Sequence, residues 1–218
     1  MLTTCKWALV ASMVVLFCGS VASVSAWQIF TDRSGWEAAV LGLDTTTETF
    51  DNAISGGLNI SFDSGIVSTA IGLGGLGGLS NNSVSAGVYH GGVDQDETNG
   101  FAQIQWLFPT PIMAFGADWI SAAQGAGVVE ITGNFDGNPG TVNLGAQLGG
   151  PGTGFLGVVG TSSFASITLT SSHAHNNELF KADDVAFAAP VSALPEPGTW
   201  LLFGTFLALG LAYRRLRS

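Results

Sequence analysis

From residue 47 onward, glycine and Ser/Thr/Asn clusters separate short runs that alternate polar and apolar positions or are briefly apolar throughout. Such runs predict a mainly β chain, because strand side chains point to opposite faces with a period of two. The candidate strands are Thr47–Phe50, Leu58–Phe62, Gly65–Thr69, Phe101–Phe108, Ile112–Ile120, Val128–Thr132, Phe155–Val159, Phe164–Thr170 and Val185–Ala188. In Phe164–Thr170, Ser166, Thr168 and Thr170 share one face, Ile167 and Leu169 the other. Gln103 and Gln105 alternate in the same way with Ala102, Ile104 and Trp106. Pro109 and Pro111 are expected to end one strand before the next begins, since proline cannot donate to a ladder. One short helix precedes the strands. Ser34-Gly35-Trp36-Glu37 has the capping-box form, Trp36, Ala39 and Val40 supply a buried face, and Gly42 stops the pattern. No useful helix period follows residue 42. The expected architecture is a β-sandwich or barrel.

Two apolar segments at the ends do not belong to that pattern. Near the start, Lys6 precedes an apolar stretch from Trp7 to Phe17, and Val24-Ser25-Ala26 offers small or modest residues at the −3 and −1 positions. That is a secretory leader, with cleavage by signal peptidase expected between Ala26 and Trp27. A lipoprotein reading at Cys18 is disfavoured by the bulky Phe17 before it. Near the end, Pro195-Glu196-Pro197 leads into an apolar run from Thr199 to Tyr213, and Arg214, Arg215 and Arg217 follow. As a helix the run spans roughly 22 Å, short for a hydrocarbon core of about 30 Å. Trp200 and Tyr213 sit where amphipathic rings prefer the interface, and the arginines should stay cytoplasmic. A permanent single-pass anchor is one reading of this tail. The fixed order of Pro-Glu-Pro motif, apolar helix and arginine cluster closely resembles the PEP-CTERM sorting signal of Gram-negative, biofilm-forming bacteria. The resemblance implies export, transient residence in the inner membrane, and processing by an exosortase-type membrane protease. The chain then divides into a leader at 1–26, an ectodomain at 27–193 and a sorting tail at 194–218.

Charge sharpens this division. The chain has six Lys and Arg residues, but only Arg33 and Lys181 lie between leader and tail. Fifteen of the sixteen acids remain in the ectodomain, which gives that segment a net charge of −13. No nucleic acid is expected as a partner, because the cations that neutralise phosphates are missing, and anionic lipid is disfavoured equally. The only cysteines, Cys5 and Cys18, fall in the leader. The mature domain therefore enters an oxidising compartment with no disulfide to form.

The middle of the chain carries a looser resemblance. A short helix, then Glu48-Thr49-Phe50-Asp51, a Phe155-Leu156-Gly157 element, a Ser/Thr strand from Phe164, and Phe180 before Asp183-Asp184-Val185 follow one another. This order looks like the β-sandwich ectodomains found upstream of PEP-CTERM tails. It also resembles the jelly-roll folds of carbohydrate-binding modules and concanavalin-like lectins. In those modules a late Asp-Asp-Val strand and an acid near the first strand share a structural calcium. The resemblance implies such an ion between Asp183 or Asp184 and Glu48 or Asp51, with carboxylate and carbonyl oxygens as ligands. The alternative is that these acids simply bound strands at the solvent edge.

Other candidates carry weaker chemistry. Asp94–Gly100 is acidic, but its glycine is seventh rather than sixth and Gln105 stands where an EF-hand needs its bidentate glutamate, so a solvated hairpin loop is expected. His173 and His175 would share a strand face, yet Ser and Asn flank them as in a loop. His90 before Gly91-Gly92 reads as a turn residue. Gly72 to Gly78 has no lysine after it and reads as a hairpin tip rather than a phosphate loop. Trp106, Phe115 and Trp119 could stack on sugars, with Trp106 expected in the core and Trp119, beside Asp118, as the more exposed ring. No spacing selects a nucleophilic triad or a carboxylate pair. Three classes follow: a non-catalytic surface or matrix protein associated with exopolysaccharide, a carbohydrate-binding module, and a secreted hydrolase. The first is the expected one.

Overall fold

The computed structural model describes residues 27–72, 81–96, 100–123, 127–172 and 178–191. In chain order the elements are β1 Gln28–Phe30, α1 Arg33–Ala39, β2 Asp44–Glu48, β3 Asn59–Ser61, β4 Val67–Ile71, β5 Asn82–Ser85, β6 Val88–Asp96, β7 Gly100–Ile120, β8 Val129–Gly133, β9 Gly140–Asn143, α2 Leu144–Leu148, β10 Gly154–Ser171 and β11 Glu178–Ala189. The chain is mainly β, as expected, and its strands join in one open antiparallel sheet. The central path runs β2-β11-β6-β7-β10-β8-β9, with β1 on β10, β4 on β7, β3 on β4, and β5 on β6.

Two long strands organise everything else. β7 has 21 residues and β10 has 18. The sequence suggested a break at Pro109 and Pro111, and another between Val159 and Phe164. The structure instead carries each strand through, with a bend. At the bend the ladder skips: Leu107 pairs with Ser166 and Ile112 with Phe164. The prolines sit where no ladder hydrogen bond is required, which is why they do not terminate the strand. The bend folds the sheet onto itself. Fully extended, Trp106 and Trp119 of β7 would lie about 43 Å apart. Their rings stack at 6.2 Å between centroids. Phe108 likewise meets Phe115 at 5.9 Å. The first half of β7 lies between β4 and β10, and the second between β10 and β11.

The space between the halves is filled by aromatic rings. Phe50, Phe62, Tyr89, Trp106, Phe115, Trp119 and Phe180 belong to one buried cluster with aliphatic residues from nearly every strand. A polar knot sits within it. Asn82 Oδ1 accepts from the Ser68 hydroxyl at 2.6 Å and from the Tyr89 hydroxyl at 3.0 Å. The Trp106 indole donates to Ser68 Oγ at 3.1 Å, and the Asn82 amide donates to the Gly57 carbonyl at 2.8 Å. Burial pushes the Tyr89 hydroxyl above the ordinary tyrosine range. Because each member has a partner, the knot can remain dry and fix the register of β4, β5, β6 and β7.

Several local expectations are corrected. Helix α1 is capped by Asp32, whose carboxylate accepts from the Gly35 amide and the Ser34 hydroxyl, so the cap lies two residues before Ser34. Those two hydrogen bonds hold the Asp32 carboxyl below its ordinary value. Trp36 and Val40 are buried as expected, whereas Ala39 is exposed. β1, β5, β6, β9 and α2 were not foreseen. His90 is not in a turn: it lies on β6 opposite Lys181. Asp94, expected in a solvated loop, lies on β6 and is 4% exposed. β6 tolerates its glycines because the Phe180 ring lies against Gly91, where a Cβ would collide with it.

Candidate functional site

Asp183 and Asp184 of the late strand are brought together with Asp118 and Arg33. Asp183 lies directly opposite Asp118 in the β11–β7 ladder. Three steps along β11, from Asp183 to Ala186, face two along β7, from Asp118 to Gly116, so β11 carries a bulge. Asp184 occupies it with φ 43°. Arg33, at the start of α1, donates to Asp118 Oδ2 at 2.9 Å and to the Asp184 carbonyl at 3.0 Å. Its guanidinium also lies 4.7 Å from the centre of the Phe155 ring. The Asp183 carboxyl accepts from the Asp184 amide. Partial burial raises its pKa, helped by the charges of Asp184 and Asp118, while the amide and Arg33 act the other way. The group works as a latch: the cation joins the helix to the bulged sheet and offsets the facing acids.

Glu48 and Asp51 have different partners. Glu48 pairs with Val185, next to the bulge, but its two carboxylate oxygens accept from the Phe50 amide at 2.9 Å and the Ser64 amide at 2.8 Å. Asp51 is exposed and accepts from the Thr49 hydroxyl. Among the described residues, no three carboxylates, imidazoles or thiols converge as a metal-binding group.

The aromatic platform suggested by the sequence is overturned. Trp106, Phe115 and Trp119 are all fully buried. Strand alternation turns Asp118 outward and Trp119 inward, so the aspartate beside Trp119 did not signal an exposed ring.

The outer surface over the first half of β7 is a feature that the alternation of Phe164–Thr170 foreshadowed. Asn59, Thr69, Gln105, Thr168, Thr132 and Thr141 are successive cross-strand partners on β3, β4, β7, β10, β8 and β9. With neighbours about 4.8 Å apart, this row is about 24 Å long. Thr69 donates to Asn59 at 2.8 Å, and the Thr132 and Thr141 hydroxyls share a hydrogen bond of 3.0 Å. Flanking rows hold Val67, Leu107 and Ser166 on one side, Ile71 with Gln103 on the other. The one carboxylate in these rows, Glu130, accepts from the Asn143 amide at 3.0 Å. At the edge of the row an open cavity of about 410 Å³ is lined by Thr132, Asn134, Pro139, Ser163, Ser166 and Thr168, among others. It lies where β10 bends and the β8–β9 turn rises beside it.

Ala26 and residues 194–218, including Pro195, Glu196, Pro197, Arg214, Arg215 and Arg217, lie outside the described residues, as do His173, His175 and nearly all of the 72–78 glycine run. Trp27, the expected first residue after cleavage, is half-buried and its ring lies 5.1 Å from that of Phe135. Among the described residues no helix is long and apolar enough to cross a membrane. No family model matches the chain, and no curated protein or solved structure is significantly similar to it.

Proposed function

We propose that this protein is exported, sorted and trimmed by an exosortase-type protease, and acts at the cell surface or in the extracellular matrix as a non-catalytic, exopolysaccharide-associated domain. The observation that carries the reading is the ordered tail: Pro195-Glu196-Pro197, the apolar run to Tyr213, and Arg214, Arg215 and Arg217. The leader with Ala26 before Trp27 supports export, and the strongly acidic, cysteine-free domain suits life outside the cell. The inner membrane holds the chain only until processing. The domain itself is a β-sandwich of jelly-roll or concanavalin-like type. The inward-facing rings of Trp106 and Trp119, stacked between the two halves of the bent sheet, support that finer assignment. A carbohydrate-binding module is the second reading, favoured by the hydroxyl and amide row on the outer face.

The test is intact-mass analysis of the protein from its own cells, separated into inner membrane, surface and medium. A chain beginning at Trp27 and ending near Pro195–Pro197 in the surface or medium fraction is expected. A chain still ending at Ser218 in the inner membrane would refute sorting. The calcium implied between Glu48 or Asp51 and Asp183 or Asp184 belongs to the same reading. Its test is thermal unfolding with and without a chelator in metal-free buffer, and an unchanged midpoint removes the ion.

A further inference from the structure

We propose that the outer face over β3, β4, the first half of β7, the second half of β10, β8 and β9 is a docking surface for an uncharged, hydroxyl-rich polysaccharide. One sugar unit would sit in the cavity beside Ser166 and Thr168. This deepens the matrix reading above, on which it rests, by naming the class of polymer and the surface that holds it.

Three observations carry it. First, the face offers donors and acceptors in a regular array. The row from Asn59 to Thr141 spans six strands in unbroken register, and every side chain in it is a hydroxyl or an amide. Such groups exchange hydrogen bonds with sugar hydroxyls in either direction. Second, apolar contacts are interspersed with them. Leu107 is 48% exposed and Ile71 is 42% exposed, and each directly neighbours the polar row. A sugar ring presents both hydroxyls and C–H faces, so a surface mixing threonine methyls, leucine and amides matches it better than a purely polar or purely apolar one. Third, the charge selects among polymers. The ectodomain carries −13, which repels polyanions. Its two cations, Arg33 and Lys181, lie off this face: Arg33 bonds Asp118, and Lys181 pairs with Ile120, in the second half of β7. A polycation would need several carboxylates on this face, and the rows hold only Glu130, already engaged by Asn143. A neutral polymer is what remains. Individual contacts of this kind are weak, and a chain lying along the whole row gains by making many at once.

The experiment is affinity electrophoresis of the full-length chain in native gels cast with dextran, mannan or hydroxyethylcellulose, and with alginate as the anionic comparison. At least one neutral polymer is expected to retard the protein and alginate is not. The double variant Gln105→Lys/Thr168→Lys and, separately, Ser166→Arg should each lose at least tenfold in affinity. Gln105→Ala should lose less. Lys181→Ala, on the other half, should bind as the parent does. Thermal midpoints of all variants are compared, so that loss of fold is not taken for loss of binding. Retardation by none of the neutral polymers overturns the proposal, as does equal loss in Lys181→Ala. Mass analysis reports on sorting independently. A trimmed surface protein that binds no neutral polymer sinks this inference alone, whereas an untrimmed chain that binds sinks the sorting reading alone.

Discussion

The two halves of β7 and β10 carry opposite outer surfaces. Over the second half of β7 the outward residues include Ala114 and Gly116, before Asp118 at the latch, and Ala186 and Ala188 from β11 join them. Small residues there let helix α1 lie close: Trp36 and Val40 pack on Ala114, Phe155, Ala186 and Ala188. Trp36 comes so near Gly157 that any Cβ at that position would strike the indole. Over the first half of the same strands the outward residues are Gln103, Gln105, Leu107, Ser166 and Thr168, all partly exposed. One pair of strands thus supplies a face built to be covered by the protein's own helix and a face left for something else. A solvated sheet face is usually polar because water covers it. This one also holds exposed leucine and isoleucine in register with its hydroxyls, beside a cavity.

The largest expected effect falls on the covered face. Trp36→Ala removes the anchor of α1 and should lower stability by about 4 kcal/mol, read from the denaturant midpoint at constant slope. An equal loss from substitutions on the bare face would break the comparison. Between the halves, Asn82→Ala leaves the Ser68 and Tyr89 hydroxyls without their shared acceptor and should cost about 2–3 kcal/mol. A change near zero would mean that the buried knot is not needed. Arg33→Met retains the contact with Phe155 but removes the charge facing Asp118, and about 1 kcal/mol is expected because the pair is partly exposed.

The latch also sets a pH dependence. The Asp183 carboxyl has a raised folded pKa, so its contribution to stability is fully present below the ordinary value of 3.8 and is lost as pH rises through the folded value. Asp183→Asn keeps an acceptor for the Asp184 amide and cannot ionise. It should therefore be more stable than the parent at neutral pH, with the advantage shrinking on acidification toward 3.8. Melting curves across pH 3–7 check this, and an advantage growing in acid would reverse the assigned sign. The smallest effect belongs to Thr132→Ala on the bare face, within about 0.5 kcal/mol.

Much of the architecture was legible from alternation alone. The polar set Ser166, Thr168 and Thr170 and the buried set Ile167 and Leu169 fell as the period of two requires, and Trp106 entered the core with its neighbours Ile104 and Phe108. Helix α1 was visible from Trp36 and Val40. The bends were not. Proline normally ends a strand, and nothing local indicates that β7 resumes on the far side of Pro111 with its face turned back onto the core. β6 was hidden for a related reason. Gly91 and Gly92 read as a turn, yet Gly91 makes room for Phe180, a residue 89 positions later in the chain. Trp119 could have been placed correctly, because the alternation of Ile112–Ile120 puts Asp118 and the tryptophan on opposite faces. The Asp118–Asp183 encounter and the Arg33 latch depend on long-range register, which no single segment encodes.

Hydroxyl-radical footprinting of the chain with and without the neutral polysaccharide that retains it tests the division of the two faces most directly. Leu107 and Ile71 report on the bare face, while Leu41 and Leu179, 89% and 56% exposed, report from elsewhere. Oxidation of Leu107 and Ile71 is expected to fall on binding, with Leu41 and Leu179 unchanged. Protection of Leu41 or Leu179 with Leu107 and Ile71 still reactive would place the polymer elsewhere on the domain and overturn the division of the two faces.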